Sequence, residues 1–82
     1  MNLNVKLFAT LKDKAQASQL ALELEQDQPT VQDLLARIIV QKPSLASSMK
    51  SVLVAVNNEY AFPEQVLAPH DEVALFPPVS GG

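Results

Sequence analysis

The segment Thr30–Gln41 sets the strongest limit on how this chain can fold. Its apolar residues Val31, Leu34, Leu35, Ile38 and Ile39 recur at the i, i+3, i+4, i+7 spacing of one helix face. Thr30 with Asp33 three residues on reads as a capping box, with the shorter Asp in place of the usual Glu. Asp27-Gln28-Pro29 breaks what comes before, Lys42 suits the carbonyl end of the helix, and Pro43 stops it. A helix with one apolar stripe needs a surface to cover, and the remaining apolar residues alternate as strand residues do.

Leu3, Val5 and Leu7 alternate with Asn4 and Lys6, the period of a half-buried strand. Phe8 falls on the other phase, with Lys6. Either it sits under a loop or in a two-sided sheet, or it is an exposed aromatic on a partner-facing surface. Thr10 to Ala17, with Leu11 and Ala15 at i, i+4, can hold a helical turn or two. Leu20, Leu22 and Leu24 alternate with Ala21, Glu23 and Glu25, a second strand with a leucine face and an acidic face. A hairpin-like return beside the first strand is the economical pairing. The Glu23–Glu25 pair is read as a solvated strand face rather than a catalytic pair.

After Pro43, the small polar stretch Ser44–Ser51 has Leu45 and Met49 as anchors. Val52-Leu53-Val54-Ala55-Val56 is a continuous apolar run of the kind expected for a strand buried on both sides. Asn57-Asn58 suits a tight hairpin, because asparagine tolerates positive φ. Glu59 to Phe62 is then the returning strand, closed by Pro63, with Tyr60 and Phe62 on one phase. Val66-Leu67 is a short apolar anchor, and Pro69-His70-Asp71 makes another turn. The single histidine, His70, has no second ligand or nucleophile near it in sequence and reads as a turn residue.

Glu72 to Phe76 is the last strand, with Val73 and Leu75 on one phase and Ala74 and Phe76 on the other. The order strand, strand, helix, strand, short strand, strand implies an α+β β-grasp: a mixed sheet of four to five strands packed on one main helix. The last strand is expected to lie centrally beside the first. If these two pair in parallel, Phe8 and Phe76 share the face away from the helix and form one apolar patch. The domain is expected to span residues 1–76, followed by a flexible extended tail, 77–82.

The tail is unusual in composition. The chain has two glycines, Gly81 and Gly82, where an average chain carries ~7%. Every turn is made without glycine, and the two are placed side by side at the carboxyl end. A backbone without side chains can enter a channel too narrow for other residues. Pro77 and Pro78 stiffen the approach and end the last strand. Extended, the run 77–82 reaches at most ~20 Å, enough to enter a partner's active site while the domain docks outside. A terminal carboxylate has a reference pKa of ~3.3–3.7, so at neutral pH it is ionised and a poor electrophile. It must be activated, for example by adenylation with ATP. The chain has no phosphate-cradling glycine loop, so the activating enzyme must be another protein.

Composition narrows the remaining classes. With 82 residues, 48% hydrophobic and 18% charged, the chain reads as one globular domain rather than a disordered segment. Zero cysteines exclude a disulfide framework, a thiolate metal site and a cysteine nucleophile, and no metal site is expected. A net charge of −3 argues against nucleic acid. No apolar run approaches the ~20 residues of a membrane span, and the first residues lack a signal peptide's basic then apolar run. A cytoplasmic protein without membrane association is expected.

Val54-Ala55-Val56-Asn57 and Asp71-Glu72-Val73-Ala74-Leu75-Phe76-Pro77-Pro78-Val79-Ser80-Gly81-Gly82 resemble the small, sulfur-carrying subunit of molybdopterin synthase. Lys6-Leu7-Phe8-Ala9 and Pro29-Thr30-Val31-Gln32-Asp33-Leu34-Leu35 support the match. The resemblance implies a ubiquitin-like β-grasp fold and a tail chemistry. An adenylating enzyme activates the terminal glycine, here Gly82, using ATP, and sulfur from a donor protein then converts it to a thiocarboxylate. The large synthase subunit accepts the tail, with Pro77, Pro78, Val79, Ser80 and Gly81 threading its channel. Sulfur passes to cyclic pyranopterin monophosphate to build the dithiolene of molybdopterin, in a heterotetramer with two small subunits at its ends. This chain would bind no cofactor and have no catalytic activity alone. The docking patch implied is Phe8 and Phe76, with Tyr60 at a third position where an aliphatic residue is expected. His70 stands where a turn glycine is usual. Two rivals share the fold and the Gly-Gly end: a thiazole-pathway sulfur carrier and a ubiquitin-like protein modifier. The Phe-Pro-Pro-Val-Ser approach favours the molybdopterin branch over the first, and Ser80 before Gly-Gly, where modifiers often place a basic residue, weighs against the second. A plain β-grasp interaction module with an incidental tail is the bland alternative.

Overall fold

A computed structural model describes residues 1–78 and arranges them as a five-stranded mixed sheet with its helices on one face. The tail residues Val79, Ser80, Gly81 and Gly82 lie outside the described residues. The strands are β1 (Asn2–Leu7), β2 (Gln19–Glu23), β3 (Leu53–Val56), β4 (Glu59–Tyr60) and β5 (Val73–Phe76). The helices are α1 (Thr10–Ala15) and α2 (Val31–Gln41), with single 3₁₀ turns at Pro43–Leu45 and Ser48–Lys50. Strand order is β2-β1-β5-β3-β4, so the last strand is central. β5 runs parallel to β1, with Lys6 opposite Ala74 and Leu7 opposite Leu75, while β2 and β3 flank this pair antiparallel. No helix among the described residues is long and apolar enough to cross a membrane.

The alternation in the sequence translates directly into burial. Leu3, Val5 and Leu7 of β1 join Leu20 and Leu22 of β2, Val54 and Val56 of β3, and Val73 and Leu75 of β5 in a single core. Val31, Leu34 and Ile38 cover it from α2, Leu11 and Ala15 from α1, and Leu45 and Met49 from the 3₁₀ turns. Helix α2 starts where expected. Thr30 Oγ1 accepts from the Asp33 N–H at 3.2 Å, and Asp33 Oδ2 accepts from the Thr30 N–H at 2.9 Å. Thr30→Ala is expected to lower stability by ~1 kcal/mol, read as a fall in the denaturant midpoint with an unchanged slope.

Four expectations are corrected. Ile39, at the margin of the helical stripe, is 36% exposed, because Leu34 and Ile38 already fill the contact with the sheet. The run at β3 is buried on one face only: Val54 and Val56 point into the core, while Leu53 and Ala55 remain half-exposed. Among the described residues the helices pack on the other face, so no second layer of these covers the two. The returning strand is Glu59–Tyr60 rather than Glu59 to Phe62. Of the anchor pair, Leu67 is buried and Val66 is 53% exposed.

Candidate functional site

The face of the sheet opposite the helices carries the sequence-predicted site residues. Phe8 follows β1 on the phase of Lys6, and its N–H donates to the Leu75 carbonyl at 3.2 Å. This extends the parallel pairing by one residue and brings Phe8 beside Phe76. The rings stack with centroids 4.7 Å apart and planes inclined by 8°, an arrangement that adds about 0.5–1.5 kcal/mol beyond burial. Phe8 remains 40% exposed. Its exposed-aromatic reading is therefore the one that holds.

Ala9 makes this placement geometrically demanding. It holds φ 53° and ψ −129° as the cap before α1, a conformation that costs a non-glycine residue about 1–3 kcal/mol. The turn carries the chain from Phe8 on the outer face to Leu11, 1% exposed, in the core. No motif in the sequence signalled it, since an alanine announces no positive φ.

Tyr60 lies across the same face. Lys6 pairs with Ala74, Ala74 with Ala55, and Ala55 with Tyr60, so these four form one row across β1, β5, β3 and β4. Phe8, Phe76 and Tyr60 line one open cavity of about 370 Å³, floored by Ala55 and Ala74 and edged by Lys6, Asn58 and Glu72. Tyr60 itself is 77% exposed. Phe8 and Phe76 lie at the strand end from which Pro77 and Pro78 leave, with Tyr60 on the same face in the row of Ala74. Pro77 is half-buried and Pro78 exposed.

The far end of the face is closed by a feature the sequence showed only in part. Asn57 and Asn58 have φ 53° and 70°, the two positive values a tight I′ hairpin requires. Asn57 also reaches across to the turn before β5. Its Nδ2 donates to Asp71 Oδ1 at 2.9 Å, and its Oδ1 accepts from the Glu72 N–H at 2.9 Å. Asp71 Oδ2 in turn accepts from the Ala68 N–H at 2.7 Å. His70, in this turn, does not adopt positive φ, so no glycine conformation is needed there.

Among the described residues this face is a largely apolar surface of stacked aromatics, alanines and an exposed tyrosine, edged by Lys6, Asn58 and Glu72. The ThiS family model matches residues 5–82. The chain belongs to the ThiS family. The molybdopterin synthase sulfur carrier subunit of Chlamydomonas reinhardtii is 40% identical to it over 84 residues, covering 100% of both chains. The corresponding subunit of Arabidopsis thaliana is 30% identical over 82 residues, covering 100% of this chain and 84% of that one. The crystal structure of SAMP1 from Haloferax volcanii superposes with a TM-score of 0.89 at 32% identity, covering 100% of each chain. The superposition bears out the β-grasp expected from the order of elements and its ubiquitin-like form implied by the resemblance.

Proposed function

We propose that this chain is the sulfur carrier subunit of a molybdopterin synthase, acting through Gly82. The observation that carries the reading is the 40% identity to a molybdopterin synthase sulfur carrier subunit along the whole length of both chains. The site chemistry supports it. A surface built of Phe8, Phe76 and Tyr60 can bind a partner but cannot activate a carboxylate, so the chemistry belongs to partners. An adenylating enzyme joins the Gly82 carboxylate to the α-phosphate of ATP and releases pyrophosphate. Sulfide-level sulfur supplied by a donor protein then attacks the acyl carbon, the bond to AMP breaks, and a thiocarboxylate is left. The large synthase subunit takes the domain on its aromatic surface and the tail in its active site. Sulfur is transferred there to cyclic pyranopterin monophosphate, in the cytoplasm, within a heterotetramer. The chain itself binds no cofactor in this scheme; ATP is bound by the activating partner.

Gel filtration with the purified large subunit tests the docking step. Co-elution is expected, and separate elution would favour the thiazole-pathway carrier instead. A second reading has its own support: the superposition on SAMP1 and the 35% identity to the small archaeal modifier protein 1 of Haloferax volcanii favour a protein modifier. That reading predicts covalent high-mass adducts on cell proteins that vanish when Gly82 is removed.

A further inference from the structure

We infer that Asn57 is a positioning residue: it holds Tyr60 on the docking surface by tying the β3–β4 hairpin to the turn before β5. β4 is a two-residue edge strand, paired among the described residues with β3 and continued by one further bond, from the Ala61 N–H to the Val54 carbonyl at 2.9 Å, and so short a strand has little hold of its own. Tyr60 is therefore set on one side by the Ala61 bond and on the other by the geometry of the hairpin turn. Asn57 fixes that turn from both sides. Its backbone N–H donates to the Glu72 carbonyl at 2.8 Å, its Oδ1 accepts from the Glu72 N–H, and its Nδ2 donates to Asp71. Asp71 is anchored in its own turn by Ala68. The Phe8–Phe76 half of the surface is held separately, by the parallel pairing of β1 and β5 and by the ring stack. The surface thus has two independently supported halves, and Asn57 governs the tyrosine half.

The partner part of this inference rests on the docking reading above, whereas the local part does not. Tyr60 is the only tyrosine and the chain has no tryptophan, so tyrosine emission reports this one side chain in the whole protein. Asn57→Gly keeps the positive φ without strain and removes both side-chain bonds. Asp71→Ala removes the far end of the tie without touching the hairpin. Each is expected to lower the fluorescence anisotropy of Tyr60 in the isolated protein. Each is also expected to weaken binding to the purified large synthase subunit by ~3- to 10-fold, the scale of one or two modest hydrogen bonds.

The decisive readout is the pattern of coupling. The loss caused by Asn57→Gly should disappear in a Tyr60→Ala background and persist in a Phe76→Ala background, as a shared contact demands. Unchanged anisotropy in both variants overturns the inference, whatever the partner. Equal, additive losses in the two backgrounds also overturn it and leave Asn57 a stabiliser of the fold alone. If the unsubstituted protein fails to bind the large subunit while the anisotropy still falls, the docking reading fails and the tie between Asn57 and Tyr60 stands.

Discussion

Deleting Gly82 is expected to abolish molybdopterin formation in a reconstituted synthase and to leave the melting temperature unchanged. The two outcomes separate because, among the described residues, the core lies between Leu3 and Leu75, while in the proposed scheme the reactive carboxylate is that of Gly82. In the proposed scheme the acyl group must reach a partner's active site in register. Shortening the chain by one residue withdraws it by ~3.3–3.6 Å and replaces the glycine at the reacting end by another. Displacements of even about 1 Å can cost 10²-fold in rate. Product formation is measured by oxidising the pterin to a fluorescent derivative. Binding of the truncated chain to the large subunit should survive, because the aromatic surface is intact.

The second large effect concerns that surface. Phe8→Ala and Phe76→Ala are each expected to weaken association with the large subunit by about 2 kcal/mol or more, the range of central aromatic anchors. Their effects should not add. Each single substitution already destroys the stack, so the double variant should lose less than the sum by about 0.5–1.5 kcal/mol. Titration calorimetry on the four proteins of the cycle gives this directly. Additive losses would mean that the two rings meet the partner separately. Loss of the fold is checked in the same samples by the denaturant midpoint, since Phe76 is half-buried and contributes to stability as well.

The fold was largely readable because its elements obey simple periods. Val31, Leu34 and Ile38 sit at helical spacing and are buried; Leu3, Val5 and Leu7 alternate and are buried. The Thr30–Asp33 cap was readable because both its groups lie within one turn of chain. The aromatic surface was readable only through a chain of steps. Phe8 and Phe76 occupy the off-phase of their strands, and they meet only if the first and last strands are neighbours in parallel. That topology followed from the order of elements, not from any local pattern.

What escaped the sequence is long-range or backbone in origin. The tie from Asn57 to Asp71 joins two turns through side chains, and an asparagine pair signals a hairpin without saying what its amides reach. The half-open outer face of β3 escaped because an apolar run looks the same whether one or two layers cover it. Ala9 escaped because it stands in a conformation that glycine would have announced. Val66, expected as an anchor, is left exposed beside Leu67 because neighbouring residues of an extended segment point opposite ways.

Whether Gly82 carries the sulfur is read from the mass of the intact protein. The chain is incubated with the adenylating enzyme, ATP and a sulfur donor, and its mass is compared with a sample lacking ATP. An ATP-dependent gain equal to the exchange of one oxygen for sulfur is expected, localised by fragmentation to Gly82. An unchanged mass, or a gain placed on any other residue, would contradict the sulfur-carrier reading.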